Sequence, residues 1–182
     1  MKKVFFITLL IVVFSCNSYI DVGKSWHSEY VDFIIKDAYN EYIYKSKIAG
    51  SNEDETFWPR NYKIKIPKGI ISYTQIGNIL YVEYRSKQII CVKAKYLNDN
   101  VKEEKWKLIG PEEETIVNML SEYWEEKNYN FDRIHTRKNR ITKLYTNGIF
   151  TILLYNIKKK NFDHFLNMVK SIEEIKYKTP DN

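Results

Sequence analysis

Positions 133–140 read Arg-Ile-His-Thr-Arg-Lys-Asn-Arg and hold three of the chain's five arginines, Arg133, Arg137 and Arg140, together with Lys138. Further on, Lys158, Lys159 and Lys160 stand in a row. Between the clusters, Arg140 to Thr146 and Ile149 to Ile157 flank Asn147-Gly148, a pair that tolerates positive φ and so favours a tight hairpin turn. A hairpin brings together the strand ends away from its turn, so the seven cations are expected to meet at one edge. Arginine adds a bidentate fork to plain charge, which suits a phosphate headgroup or another anionic partner. The plainer alternative is a solvated loop paired with the nearby glutamate-rich helix.

The remaining reactive side chains are dispersed. His27, His135 and His164 show no i, i+4 pairing, whereas a metal site needs several converging ligands. Cys91 is expected inside a strand, where a free structural thiol is the ordinary reading. Glu112, Glu113, Glu114, Glu122, Glu125 and Glu126 fall on one expected helix as a solvated face. Gly23-Lys24-Ser25 lacks the glycine that a phosphate loop needs five residues earlier, because that position is Ser18. No catalytic residue, metal ligand or cofactor is therefore expected. A small hydrolase assembled from scattered residues is kept as an alternative.

Cys16 is the other chemically informative residue. Lys2-Lys3 precedes an apolar run from Val4 to Phe14 broken only by Thr8. Eleven residues at about 1.5 Å each cover roughly half of a ~30 Å hydrocarbon core, the length of a secretory signal. Val13-Phe14-Ser15-Cys16 resembles a bacterial lipobox, in the relaxed form found in Bacteroidetes, with Phe14 where a small residue is commoner. The resemblance covers residues 1–16. It implies that Cys16 is lipidated after removal of a signal peptide, residues 1–15, and that the partner of Cys16 is a lipid bilayer. Residues 16–25 then form a lipid-anchored tether and residues 26–178 a single domain. Asn17-Ser18-Tyr19-Ile20-Asp21 has no acidic cluster resembling a surface-export tag, so the expected location is a periplasm-facing outer membrane in a bacterial cell envelope. With Cys16 acylated, Cys91 is the one thiol left and no internal disulfide can form.

The 182 residues carry 29 Lys+Arg against 23 Asp+Glu, a net charge of +6, which becomes +4 once Lys2 and Lys3 leave with the leader. Of the basic residues 24 are lysine and 5 are arginine, so the basic balance is weak evidence for phosphate recognition, and nucleic acid is not an expected partner. Aromatic residues at 15% and apolar residues at 44% suit a packed core. They exclude intrinsic disorder, collagen and a coiled-coil rod.

The elements that must position these residues follow from periodicity. Trp26, Tyr30, Phe33, Ile34, Ala38 and Tyr42 recur at steps of three and four, which predicts an amphipathic helix; Glu41 to Ile48 alternates and equally fits a strand. Gly50 to Glu55 reads as an acidic loop. Strands are expected at Tyr62–Ile66, Ile70–Ile76, Ile79–Tyr84 and Gln88–Tyr96, the middle two joined by a Gly77-Asn78 turn. Asn98 to Lys107 reads as a loop or edge excursion. Pro111 and Glu112–Glu114 open a helix whose stripe is Ile116, Met119, Leu120, Tyr123 and Lys127. After the Asn147-Gly148 hairpin, Asn161 is expected to cap a last helix facing inward through Phe162, Phe165, Leu166, Val169 and Ile172. The fold class that follows is α+β, an antiparallel sheet of about six strands with helices packed on both faces.

Tyr62-Lys63-Ile64-Lys65-Ile66-Pro67-Lys68-Gly69, the strand ending near Tyr155 and the closing Val169-Lys170-Ser171-Ile172 resemble the PsbP-like α/β/α sandwich over 57–175. Its members are mostly accessory and non-catalytic, and fold likeness alone does not assign function. Together these readings point to a membrane-anchored, non-catalytic binding or accessory lipoprotein acting on an envelope protein or anionic partner. An immunity-type lipoprotein that neutralises a toxin is the alternative within the binding class.

Overall fold

The computed structural model describes residues 19–52, 55–110 and 112–176. Thirteen strands form three antiparallel sheets, and the chain is mostly β. The first sheet contains β1 (Trp26–His27), β2 (Val31–Ile35), β3 (Asn40–Tyr44), β6 (Tyr62–Ile66) and β13 (Glu173–Glu174), in that spatial order. The second is six-stranded. It is built from β7 (Ile70–Ile76), β8 (Ile79–Tyr84), β9 (Gln88–Ala94), β10 (Lys107–Ile109), β11 (Arg140–Thr146) and β12 (Phe150–Lys158), ordered β10-β11-β12-β9-β8-β7. A separate hairpin pairs β4 (Gly50–Asn52) with β5 (Glu55–Phe57). Helices α1 (Glu113–Glu126) and α2 (Lys159–Val169) and the short 3-10 turns η1 (Ile20–Val22) and η2 (Phe131–Arg133) complete the described elements.

The two large sheets pack face to face as a β-sandwich. Phe33, Tyr42, Tyr62, Ile64 and Ile66 of the first sheet meet Leu80, Val82, Ile90, Val92, Ile152 and Leu154 of the second in one buried cluster. Alternation explains the selection. Along β3 and β6 every second residue is buried, because successive strand side chains point to opposite faces. Each fully buried Tyr, Phe or Ile contributes about 1.5–3 kcal/mol of transfer free energy. Hydrogen bonds orient the aromatic layer: the hydroxyls of Tyr42 and Tyr62 donate to Gln75 Oε1 at 3.0 and 3.2 Å, and Trp26 Nε1 donates to Tyr73 Oη at 3.0 Å. The outer face of the six-stranded sheet is covered by α1, whose Met119, Leu120, Tyr123 and Trp124 bury Tyr81, Ile89, Cys91, Leu153 and Tyr155. β12 is therefore apolar on both sides, as its composition requires.

This arrangement overturns the expected α+β fold, a six-stranded sheet with helices on both faces, and the PsbP-like α/β/α reading with it. One face of the six-stranded sheet carries α1, but the other carries a second sheet; α2 joins the inter-sheet core through Phe162, Phe165 and Val169. The helix expected over Trp26–Tyr42 is instead the meander β1-β2-β3, with register Trp26↔Phe33 and Phe33↔Tyr42. Its three-and-four spacing is also compatible with two strands broken at Lys36–Tyr39, where Lys36 N donates to Tyr39 O at 3.0 Å. Cross-strand burial of Phe33 and Tyr42 against Tyr73 outweighs the helical alternative. Tyr62–Ile66 leaves the expected sheet to pair with β3, and Lys107, the last residue of the expected loop or edge excursion Asn98–Lys107, opens the edge strand β10 against β11. Of the expected loop Gly50–Glu55, the described residues Gly50–Asn52 and Glu55 belong to the paired strands β4 and β5. Pro111 lies outside the described residues. Finally, α2 starts two residues before Asn161, with Lys158 as its N-cap and no side-chain cap hydrogen bond.

Candidate functional site, a basic cleft on Asn156

The hairpin β11–β12 does place Arg140 opposite Lys158, so the two basic clusters adjoin at one end of the sheet. Arg133 ends η2, Arg137 and Lys138 lie on the exposed loop that follows, and Lys159 and Lys160 occupy the first turn of α2. Arg133 and Arg137, with Lys87, His135, Tyr155 and Asn156, line a recess of about 260 Å³. Arg140 lies behind it, its guanidinium reaching Asn156 O at 3.4 Å. Lys138 and Lys158–Lys160 are not part of the lining; they extend the same charged end outward.

Asn156 organises the recess. It is buried, and its φ of +56° breaks the run of β12. The register between β11 and β12 slips there, between Ile141 and Lys143. A bulge of this kind bends the strand and re-aims its side chains. Asn156 Nδ2 donates to Ser86 O at 3.1 Å and Lys87 O at 2.9 Å, while Oδ1 accepts from Arg137 N at 3.2 Å. One amide thus ties the β8–β9 turn to the arginine loop. Ser86, Lys87 and Asn139, on those same segments, also have positive φ. Such conformations cost on the order of 1 kcal/mol each for non-glycine residues and persist where surrounding bonds hold them.

The floor and walls are similarly held. Tyr155 Oη donates to His135 O at 3.0 Å, fixing the loop from inside. Lys87 Nζ sits 2.9 Å from the centroid of the Tyr129 ring, a cation–π contact that confines the ammonium. Behind it the buried carboxylate of Glu83 accepts from Tyr123 Oη at 2.7 Å and from Tyr129 Oη at 3.1 Å. Partial burial lowers the pKa of Lys87 from its ordinary value; Glu83 opposes this, and Arg133 and Arg137 reinforce it. Burial, with Arg137 next in weight, lowers that of Arg140. In both groups burial is the main cause, and the neighbouring arginines add to it. Among the described residues no carboxylate forms an ion pair with Lys87, Arg133, Arg137, Lys138, Arg140 or Lys158–Lys160. The expected pairing with the glutamates of α1 is thus not formed. What the arrangement can do is receive an anion: two guanidiniums and one ammonium face a small concavity floored by amide and hydroxyl groups.

Sequence reasoning reached Arg133, Arg137 and Arg140 through their clustering but missed Lys87, which falls between two expected strands, and Tyr155 and Asn156, which fall within the hairpin arm Ile149 to Ile157. No spacing rule links positions 87 and 156; only strand pairing does. Cys16 lies outside the described residues. Cys91 is fully buried against α1, its Sγ 3.8 Å from Met119 O, and burial pushes the thiol pKa well above its ordinary value. His135 lines the cleft and Cys91 does not, so the pair that a cysteine hydrolase would need is not assembled. Among the described residues no three metal-ligating side chains converge, and no helix is long and apolar enough to cross a membrane. No family model, curated protein or solved structure matches the chain.

Proposed function

We propose that this chain is a lipid-anchored binding protein of a bacterial envelope, which holds an anionic group in the cleft of Lys87, Arg133 and Arg137 and catalyses no reaction. The observation that carries the binding reading is the cleft itself: three cations converge on a recess of about 260 Å³, without an ion-paired carboxylate among the described residues. Concentrating like charge around a concavity disfavours the empty site and favours an anion within it. The lining offers two guanidiniums and an ammonium to an oxyanion, while the Tyr155 phenol and the Asn156 amide are bonded to the backbone that positions them. The anchoring reading rests on Lys2-Lys3, the apolar run and the placement of Cys16 directly after it.

Two measurements test the two halves. The intact mass of membrane-fractionated protein should carry acyl increments that disappear in Cys16→Ala; an unmodified mass with membrane retention unchanged by the substitution overturns the anchor. Inorganic phosphate or sulfate should raise the melting temperature of the wild type more than chloride at equal ionic strength. That difference should shrink in Arg133→Gln/Arg137→Gln to the general stabilisation these excluded anions give any folded chain, and an equal response in both proteins overturns the anion site.

A further inference from the structure

The antiparallel registers place five strand ends at one end of the six-stranded sheet. There β11 begins at Arg140, β12 ends at Lys158, β9 begins at Gln88, β8 ends at Tyr84 and β7 begins at Ile70. The basic cleft occupies the β11–β12–β9 side of that end. The first described residues of the chain occupy the β8–β7 side. Tyr19 lies beneath the guanidinium of Arg85, 4.6 Å from ring centroid to Cζ, and Asp21 is buried, accepting from Gly69 N and Asn40 Nδ2, each at 2.8 Å. Arg85 and Lys87 belong to one turn, so the residue that receives the incoming chain and a residue that walls the cleft are two positions apart.

Chain length then limits where Cys16 can be. Two residues, Asn17 and Ser18, lie between it and Tyr19, and a fully extended chain covers at most about 11 Å over those three Cα-to-Cα steps. An acyl group on Cys16 must therefore enter its leaflet close to the β8–β9 turn. The charge at this end is lopsided. Asp21 and Glu83 are hydrogen-bonded inside, while Lys158–Lys160 begin α2 without a side-chain cap, with the exposed Asp163 one turn further along the helix. Three lysines at the positive end of a helix dipole repel one another and the dipole unless an anion lies against them.

We infer that this end docks on the leaflet that carries the chain's own anchor, with the phosphate of an anionic phospholipid headgroup seated between Lys87, Arg133 and Arg137. The inference rests on the lipid-anchor reading of Cys16. It makes the cleft an orienting device: the anchor holds the domain at the surface, and the headgroup contact sets which way the sandwich stands. Juxtamembrane cations gain about fivefold in partition each near an anionic surface, over a range of roughly one Debye length. A tether this short keeps the charged end inside that range.

The test uses full-length protein extracted from membranes and reconstituted into three vesicle preparations: phosphatidylcholine alone, phosphatidylcholine with phosphatidylglycerol, and phosphatidylcholine with added inorganic phosphate. Amide hydrogen exchange is followed at 84–88 and 133–140. Slower exchange by about fivefold or more is expected with phosphatidylglycerol only. It should be lost in Arg133→Gln/Arg137→Gln and reduced in Lys159→Gln/Lys160→Gln, a surface pair whose removal relieves helix-dipole repulsion and leaves the fold intact. Equal exchange in the first two preparations overturns the docking. Equal protection by free phosphate assigns the cleft to a soluble anion and overturns it as well. The intact mass of the same preparation separates the two readings. Acyl increments with unchanged exchange leave the anchor standing and remove the docking, whereas an unmodified Cys16 removes the anchor and the docking geometry built on it.

Discussion

The side-chain amide of Asn156 donates to the backbone carbonyl of Lys87 at 2.9 Å, joining the bulge of β12 to the turn between β8 and β9. Both residues have positive φ, so the bond fixes two otherwise disfavoured conformations at once. Replacing Asn156 removes the restraint on Ser86, Lys87 and the Arg137 amide together. Asn156→Ala is expected to cost about 2–4 kcal/mol in urea unfolding. Asn156→Gly should recover about 1 kcal/mol of that, because glycine accepts the backbone angle without restoring the amide. Equal losses in the two variants would show that the backbone conformation is not a separate contribution.

Two turn glycines separate conformational strain from steric overlap. Gly77 and Gly148 have φ of +53° and +87°, and a Cβ on Gly148 would lie 2.5 Å from Lys102 O, whereas one on Gly77 would meet nothing nearer than Tyr96 Oη at 4.0 Å. Gly77→Ala is expected to lose about 1 kcal/mol from the backbone alone. Gly148→Ala should lose at least about twice as much, since the loop at Lys102 must move. Chemical denaturation of the two single variants makes the comparison.

Alkaline pH should unfold the protein through its buried phenols. Burial, and then the Glu83 carboxylate, push the pKa of Tyr129 up to about 12. An unfolded tyrosine ionises near pH 10. Between about pH 10 and 12 the unfolded chain has therefore released protons that the native state still holds. Stability is fully present below pH 10 and falls as pH rises through that window. Phenolate absorbance should grow together with the loss of near-ultraviolet circular dichroism, and Tyr129→Phe should reduce the slope of stability against pH. A slope unchanged by that substitution would assign the alkaline loss to other groups.

Cys91 should behave as a packed apolar residue. It is fully buried between β9 and α1, and burial holds the thiol protonated. A thiol reagent should leave it unmodified in native protein and react once denaturant unfolds the chain. Cys91→Ala is expected to cost about 1 kcal/mol and to leave anion binding unchanged. Rapid labelling under native conditions would contradict the packing of α1 on the sheet.

Local signals carried much of the secondary structure. The hairpins at Gly77-Asn78 and Asn147-Gly148, the strands Ile70–Ile76, Ile79–Tyr84 and Arg140–Thr146, and Ile116, Met119, Leu120 and Tyr123 of the inward stripe of α1 are present, while Lys127 is the C-cap and lies outside the core cluster. Their determinants lie within a few residues of one another, in turn chemistry and side-chain period. Trp26–Tyr42 was misleading because aromatic residues at steps of three and four fit a helix face and a strand meander equally. The partners that decide between them, Tyr73 and the strand Tyr62–Ile66, are distant in sequence.

By itself the sequence determined where hairpins turn and that two basic clusters share one hairpin. Tertiary structure alone decided which sheet each strand joins, because sheet membership depends on pairing between segments far apart in the chain. It also decided the cleft. Lys87, Arg133 and Asn156 come from three separate elements, and only a bulge near the end of β12 turns the Asn156 amide toward the carbonyls of a turn 69 and 70 residues earlier. The seven clustered cations were visible as charge. Two of them, Arg133 and Arg137, joined Lys87 as the lining of a recess through hydrogen bonds that no local pattern encodes.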